Sequence, residues 1–230
     1  MSKLVLWGHH IDDYREMFDL GENDLKGRIL EYGCGPSAFN LEVKPYTRSC
    51  ISCDPLFSLD ASTLKTKTSL VFEDMIAQVR QDHDKYNFAD YGGLDGLIEK
   101  RRQGMNDFFS DFEQGKKEKR YQGIQNISLP FDSFYFDLAL SSHYLFAGLD
   151  NQNLDFHMAV IQELTRVAKE LRVFPLIDRF DNPSPLLGPV LLLLQQKNYG
   201  VEVRTVPYHL QDKGNVMLRV WAQECEVQTG

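Results

Sequence analysis

Arg28-Ile29-Leu30-Glu31-Tyr32-Gly33-Cys34-Gly35-Pro36-Ser37-Ala38-Phe39-Asn40 reads as a strand, a tight turn and the start of a helix. A short apolar run closes on an acid, Glu31, and then meets two glycines. Glycine lets the backbone turn sharply and lets a ligand approach where a side chain would stand in the way. Open α/β sheets bind their ligands at such loops, beyond the carboxyl ends of the strands. The stretch therefore predicts an α/β fold with a ligand cleft at residues 33–37.

Ser49 to Cys53 predicts the second strand, which ends in Asp54-Pro55. An acid about 20 residues past a glycine turn sits at the tip of the next strand, where its carboxylate can accept hydrogen bonds from ribose hydroxyls. A turn residue before proline is the other reading of Asp54. Further on, Ile124-Gln125-Asn126-Ile127-Ser128-Leu129-Pro130-Phe131 precedes Phe136-Asp137-Leu138-Ala139-Leu140-Ser141-Ser142-His143, a buried strand with polar residues at its tip.

In combination these stretches resemble the class I S-adenosylmethionine-dependent methyltransferases. In that family an acid is followed by Gly-x-Gly-x-Gly; here Ser37 takes the place of the third glycine. The resemblance implies a Rossmann-like sheet, mostly parallel with an antiparallel last strand, and S-adenosylmethionine as cofactor. It places Glu31, Gly33, Cys34, Gly35, Asp54 and Pro55 along the cofactor, with Asn126 and Ile127 beside the adenine. It places Ser141, Ser142 and His143 beside the transferable methyl. His143 becomes the candidate general base or substrate-orienting group, since a histidine titrates near neutral pH; holding the loop in shape is its other reading. Many members of the family need no base.

The chain has 230 residues with 43% hydrophobic content, a size that fits one α/β domain over 1–230. A formal net charge of −8 argues against a nucleic-acid partner. Arg101, Arg102, Lys116, Lys117, Lys119 and Arg120 cluster in sequence and read as a solvated helix face. No secretory leader or membrane-spanning run is visible, and four cysteines suit a reduced, cytoplasmic protein. Cys50 and Cys53 lie three apart in a strand, so they point to opposite faces and predict no metal site.

Residues 5–18 predict an N-terminal helix within 1–22, with Ile11, Tyr14, Met17 and Phe18 on one face and Gly21 as a stop. Tyr14 either reaches the cofactor or packs on the sheet, and His9 and His10 receive no role. Residues 56–121 exceed a plain crossover and predict a helical cap inserted between strands 2 and 3. Its apolar positions are Leu70, Val71, Met75, Ile76 and Val79, then Leu97, Ile98, Met105, Phe108, Phe109 and Phe112. The aromatics Tyr86, Phe88 and Tyr91 select a substrate or form the cap's own core. An amphipathic helix over 155–169 joins through Glu170 to a strand over 171–177, and an apolar helix over 186–197 ends at Gly200. Two alternating strands, 201–206 and 216–221, close the sheet.

Gly33-Cys34-Gly35-Pro36-Ser37-Ala38 also satisfies Gly-x-Gly-x-x-Ala, so an NAD(P)-dependent dehydrogenase is the competing enzyme reading. Pro36 weighs against it, because it removes one N–H from a turn that would have to cradle a pyrophosphate. A protein that binds S-adenosylmethionine without catalysis is the third reading. No signature at the tip of strand 4 names the acceptor. The acidic pI and the cap point to a small molecule.

Overall fold

The computed structural model describes residues 8–146, 152–178, 182–211 and 213–222. Seven strands form one sheet in the order β3-β2-β1-β4-β5-β7-β6. The strands are β1 (Arg28–Tyr32), β2 (Ser49–Asp54), β3 (Tyr121–Gly123), β4 (Phe136–Ser142), β5 (Ala168–Phe174), β6 (Tyr199–Thr205) and β7 (Val216–Ala222). β3 to β5 pair in parallel, and β7 runs antiparallel to both β5 and β6. This is the mostly parallel Rossmann-like sheet with an antiparallel end that the sequence predicts. The strand order reverses between β1 and β4, the kind of switch point where open α/β sheets bind ligands, and the glycine turn and Ser142 lie at the carboxyl ends of these strands.

Helices cover both faces, which is why the parallel strands are apolar runs rather than alternating ones. On one face Ile29, Cys50, Leu138 and Leu140 pack with Tyr14, Phe18 and Phe39. Those three come from α1 (Ile11–Met17), the turn after it and α3 (Phe39–Val43). The same cluster takes Phe72, Met75 and Val79 from α4 (Ala61–Gln81) and Leu97 and Met105 from α5 (Leu94–Lys117). The insertion between β2 and β3 thus shares a core with the sheet. On the other face Leu30, Cys53, Ala139 and Leu171 pack with Ile161 and Leu164 of α6 (Leu154–Val167) and with Val190 and Leu194 of α7 (Leu187–Gln196). Cys50 and Cys53 accordingly stand on opposite faces. Side-chain caps start two of these helices: Asp60 accepts from Thr63 N–H and Asn153 from Phe156 N–H.

Several boundaries differ from the sequence reading. The first described helix is only 11–17; residues 8–10 lead into it without helical structure, and residues 5–7 lie outside the described residues. Gly21 is no stop but the start of a one-turn helix, α2 (Glu22–Leu25). β5 begins at Ala168, directly from α6, so Glu170 is not the joint; its carboxylate holds Arg172 and Arg219. Gly200 belongs to β6, and α7 ends through Asn198 at φ 60°. Leu70 is 67% exposed, on the outer side of α4. Among the described residues no helix is long and apolar enough to cross a membrane.

Candidate functional site

The glycine turn takes the backbone through φ 69° at Gly33 and φ 57° at Gly35, the left-handed region that other residues enter at a cost. Gly33 N–H donates to Cys53 C=O at 2.9 Å, and Gly35 N–H donates to Asp54 Oδ2 at 2.8 Å. Asp54 Oδ1 accepts from Leu56 N–H at 2.8 Å, the first bond of a short turn that Pro55 opens. Asp54 is therefore both a turn residue and a tie to the glycine loop. A carboxylate offers about four lone-pair sites, and two remain. Burial pushes its pKa up to about 6 despite both N–H bonds.

Glu31 and Tyr14 lie beneath the turn, 1% exposed each. Glu31 Oε2 accepts a short bond from Ser52 Oγ, and Ser52 Oγ accepts from Asn40 Nδ2 at 2.7 Å. Asn40 Oδ1 accepts from Arg120, which is held by a bidentate pair with Asp111. Glu31 Oε1 and the Tyr14 hydroxyl are buried without a formed hydrogen bond. Burial raises Glu31 to about 7. The Tyr14 ring stacks on Phe39 at 4.1 Å, so packing, and not an open face toward a ligand, describes its position. Cys34 is buried with Phe57 and Phe108, and burial pushes its thiol well up.

Residues 8–10 form a strap that the sequence reading left without a role. Gly8 N–H donates to Pro36 C=O, while Ala38 N–H and Ser37 Oγ both donate to His9 C=O. The strap crosses α5 so closely that a Cβ on Gly8 would stand 2.0 Å from Arg101 C=O. His10 pins it: one ring nitrogen meets Glu42 Oε1 at 2.7 Å and the other Lys100 C=O at 3.0 Å. Both partners are acceptors, so the fully bonded ring is imidazolium, and its pKa is raised, chiefly by Glu42.

At the tip of β4, Ser141 is fully buried with its hydroxyl unpaired, and Ser142 Oγ bonds His143 Nδ1 at 2.8 Å. His143 sits at φ 54°, its N–H donating to Phe174 C=O at the tip of β5. Its ring stacks on His9 at 4.9 Å and 17°. Burial and then Arg101 lower His143 to about 3, and the same two causes lower His9 well below its usual value. Both rings are neutral at pH 7, which makes His143 a weak proton acceptor.

Arg101 corrects the solvated-face reading. It is 0% exposed, paired with Asp13 at 2.6 Å and donating to the Tyr208 hydroxyl at 2.9 Å. Its spacing from Leu97, Met105 and Phe108 carries the signal, because all four lie on one face of α5. Tyr144 is the other residue missed. A Cβ on Gly33 would stand 2.2 Å from its ring, so Tyr144 covers the turn.

The structure joins Gly35 to Asp54 and Ser142 to His143, and it sets Glu31 and Tyr14 under the turn. Asn126 is exposed and Ile127 partly buried, just past β3, whose Gly123 pairs with Asp54. Among the described residues Asn126 makes no hydrogen bond.

No family model matches the chain. It is 25% identical to the uncharacterized protein MJ0045 of Methanocaldococcus jannaschii, over 95% of this chain and 96% of that one. Among solved structures it is similar to the YcgJ protein of Bacillus subtilis, with TM-score 0.47, 13% identity, and 94% and 100% of the two chains covered. It is also similar to the N-methyltransferase NodS of Bradyrhizobium japonicum, solved with S-adenosyl-L-homocysteine, with TM-score 0.47, 13% identity and 94% and 86% covered. A SAM-dependent methyltransferase of Aquifex aeolicus aligns with TM-score 0.41, 16% identity and 91% and 92% covered.

Proposed function

We propose that the chain is an S-adenosylmethionine-dependent methyltransferase acting on a small molecule. The carrying observation is the tie between the glycine turn and Asp54, which leaves the acid's remaining lone pairs at the tip of β2. In this reading Asp54 holds the ribose, Gly33, Cys34, Gly35 and Pro55 line its approach, and Asn126 and Ile127 flank the adenine. Glu31 and Tyr14 support the turn from below. Ser141, Ser142 and His143 face the reacting side. When bound, S-adenosylmethionine supplies a sulfonium methyl for in-line displacement by an N, O, S or C nucleophile.

The turn's own bonding favours this cofactor over a dinucleotide. The N–H groups of Gly33, Gly35, Ala38 and Phe39 already donate within the protein, and Pro36 has none. A pyrophosphate needs such donors free; S-adenosylmethionine carries no phosphate. Holding the two reactants in near-attack geometry supplies about 7–11 kcal/mol of the barrier reduction. His143, neutral and weakly basic, orients the acceptor rather than taking its proton. The test is incubation with labelled S-adenosylmethionine and a fractionated small-molecule extract. Labelled product with stoichiometric S-adenosylhomocysteine supports catalysis. Tight cofactor binding with no turnover on any fraction favours the non-catalytic reading.

A further inference from the structure

We propose that His10, Glu42 and Asp107 form a binding site for a divalent transition-metal cation of the zinc type, and that the ion clamps the strap and α3 to α5. One ligand atom from each residue lies within 4.8 Å of the other two, and all three residues are half-buried. They come from three separate elements: the strap at residues 8–10, α3 and the inserted helix α5. The site does not depend on the cofactor reading.

Each ligand is already held by a partner outside the set. His10 Nε2 meets Lys100 C=O at 3.0 Å, which keeps a proton on that nitrogen and leaves Nδ1 for the ion. Glu42 Oε2 accepts from Ile11 N–H at 2.6 Å, and Asp107 Oδ1 accepts from Gln103 Nε2 at 2.8 Å. A ring N–H on a carbonyl and hydrogen-bonded carboxylates are the support that metal ligands need. His10 Nδ1 and Glu42 Oε1 stand 2.7 Å apart, with the ring's second proton between them. The cation takes that proton's place: the proton goes to solvent, and the Nδ1 lone pair goes to the metal. With bonds of about 2.1 Å, tetrahedral ligands stand about 3.4 Å apart, so a small turn of the Asp107 side chain completes the set.

The sequence of α5 permits this approach. Lys100, Gln103, Gly104 and Asp107 recur at helical spacing and share one face. A Cβ on Gly104 would stand 2.3 Å from the Gly8 carbonyl oxygen, so glycine there lets the strap lie against the helix. Charge agrees with geometry. Two carboxylates and a neutral imidazole carry two negative charges, which a divalent cation cancels. Around them Asp13 and Glu16 balance Lys100 and Arg101, so these neighbours add no net charge. The imidazole ligand favours zinc-type ions over magnesium and calcium, which suit oxygen ligands. The strap bonds Pro36, Ser37 and Ala38, so an ion that fixes the strap also steadies the glycine turn.

The test uses the native chain, stripped of metal with a chelator and titrated with Zn2+. The ring nitrogens of His10 are followed by NMR, and affinity is read by calorimetry. Zn2+ is expected to shift the His10 Nδ1 resonance saturably, and Mg2+ at the same concentration is not. Among the described residues Asp107 bonds only Gln103, so Asp107→Asn is expected to keep the fold. It is expected to bind Zn2+ at least ~10-fold more weakly, the size of loss that even an outer partner of a metal ligand causes. An unmoved His10 ring in the native protein, an equal response to Mg2+, or undiminished Zn2+ affinity in Asp107→Asn overturns the proposal.

Discussion

Gly35 N–H donates to Asp54 Oδ2 at 2.8 Å, tying the turn after β1 to the tip of β2 across 19 residues of sequence. One carboxylate thereby ties the loop to the strand tip and, in the proposed reading, offers its remaining lone pairs to the cofactor's ribose. The two tasks separate by mutation. Asp54→Asn keeps the size but loses the charge, and it is expected to cost roughly 1.5–3 kcal/mol of S-adenosylhomocysteine affinity by calorimetry. Asp54 has a pKa of about 6, so native affinity is expected to fall as the pH drops through that value and the acceptor is protonated. The variant should lack this fall. Equal affinity in both proteins would show that Asp54 serves the turn alone.

Glu31 makes the second prediction. Its pKa rises from 4.5 unfolded to about 7 folded because burial penalises the charged form. The folded protein therefore holds the proton more tightly than the unfolded chain. Stability from this group is full below pH 4.5 and is lost as the pH rises to 7. A difference of this size corresponds to about 3 kcal/mol. Glu31→Gln, neutral throughout, is expected to gain on the native protein by that order between pH 4.5 and pH 8 in denaturant unfolding. A gap independent of pH contradicts the assignment.

The contact between Gly33 and Tyr144 can be tested as a cycle. Gly33→Ala puts a methyl group where the Tyr144 ring lies and forces a left-handed alanine. The backbone strain alone costs about 1–2 kcal/mol. Adding Tyr144→Ala is expected to remove the steric part, so the two changes should combine with a coupling of about 0.5–3 kcal/mol in unfolding experiments. Strict additivity would mean that Tyr144 does not rest on the turn.

The parts of the fold legible in the sequence are those set by backbone chemistry. The turn at Gly33 and Gly35, the acid at Asp54 and the apolar strand through Leu138–Leu140 each follow from a local demand. So does the division of Cys50 and Cys53 between the two faces. Where no breaker marks a boundary, the reading slipped, as at Ala168, where α6 passes straight into β5. Arg101 was hidden because a cation among charged neighbours reads as solvated. Its counter-ion, Asp13, lies 88 residues away in another helix. The strap gave little signal either: its bonds to the turn run through the backbone of Gly8 and His9, and only Gly8, at φ 72° with no room for a Cβ beside Arg101 C=O, depends on its residue type.

The central claim is that this turn holds S-adenosylmethionine and not a dinucleotide. Calorimetric titration of the native protein with S-adenosylhomocysteine and, separately, with NADH tests it most directly. The account predicts saturable one-to-one binding of S-adenosylhomocysteine and no heat of binding with NADH. Binding of NADH without S-adenosylhomocysteine would contradict it.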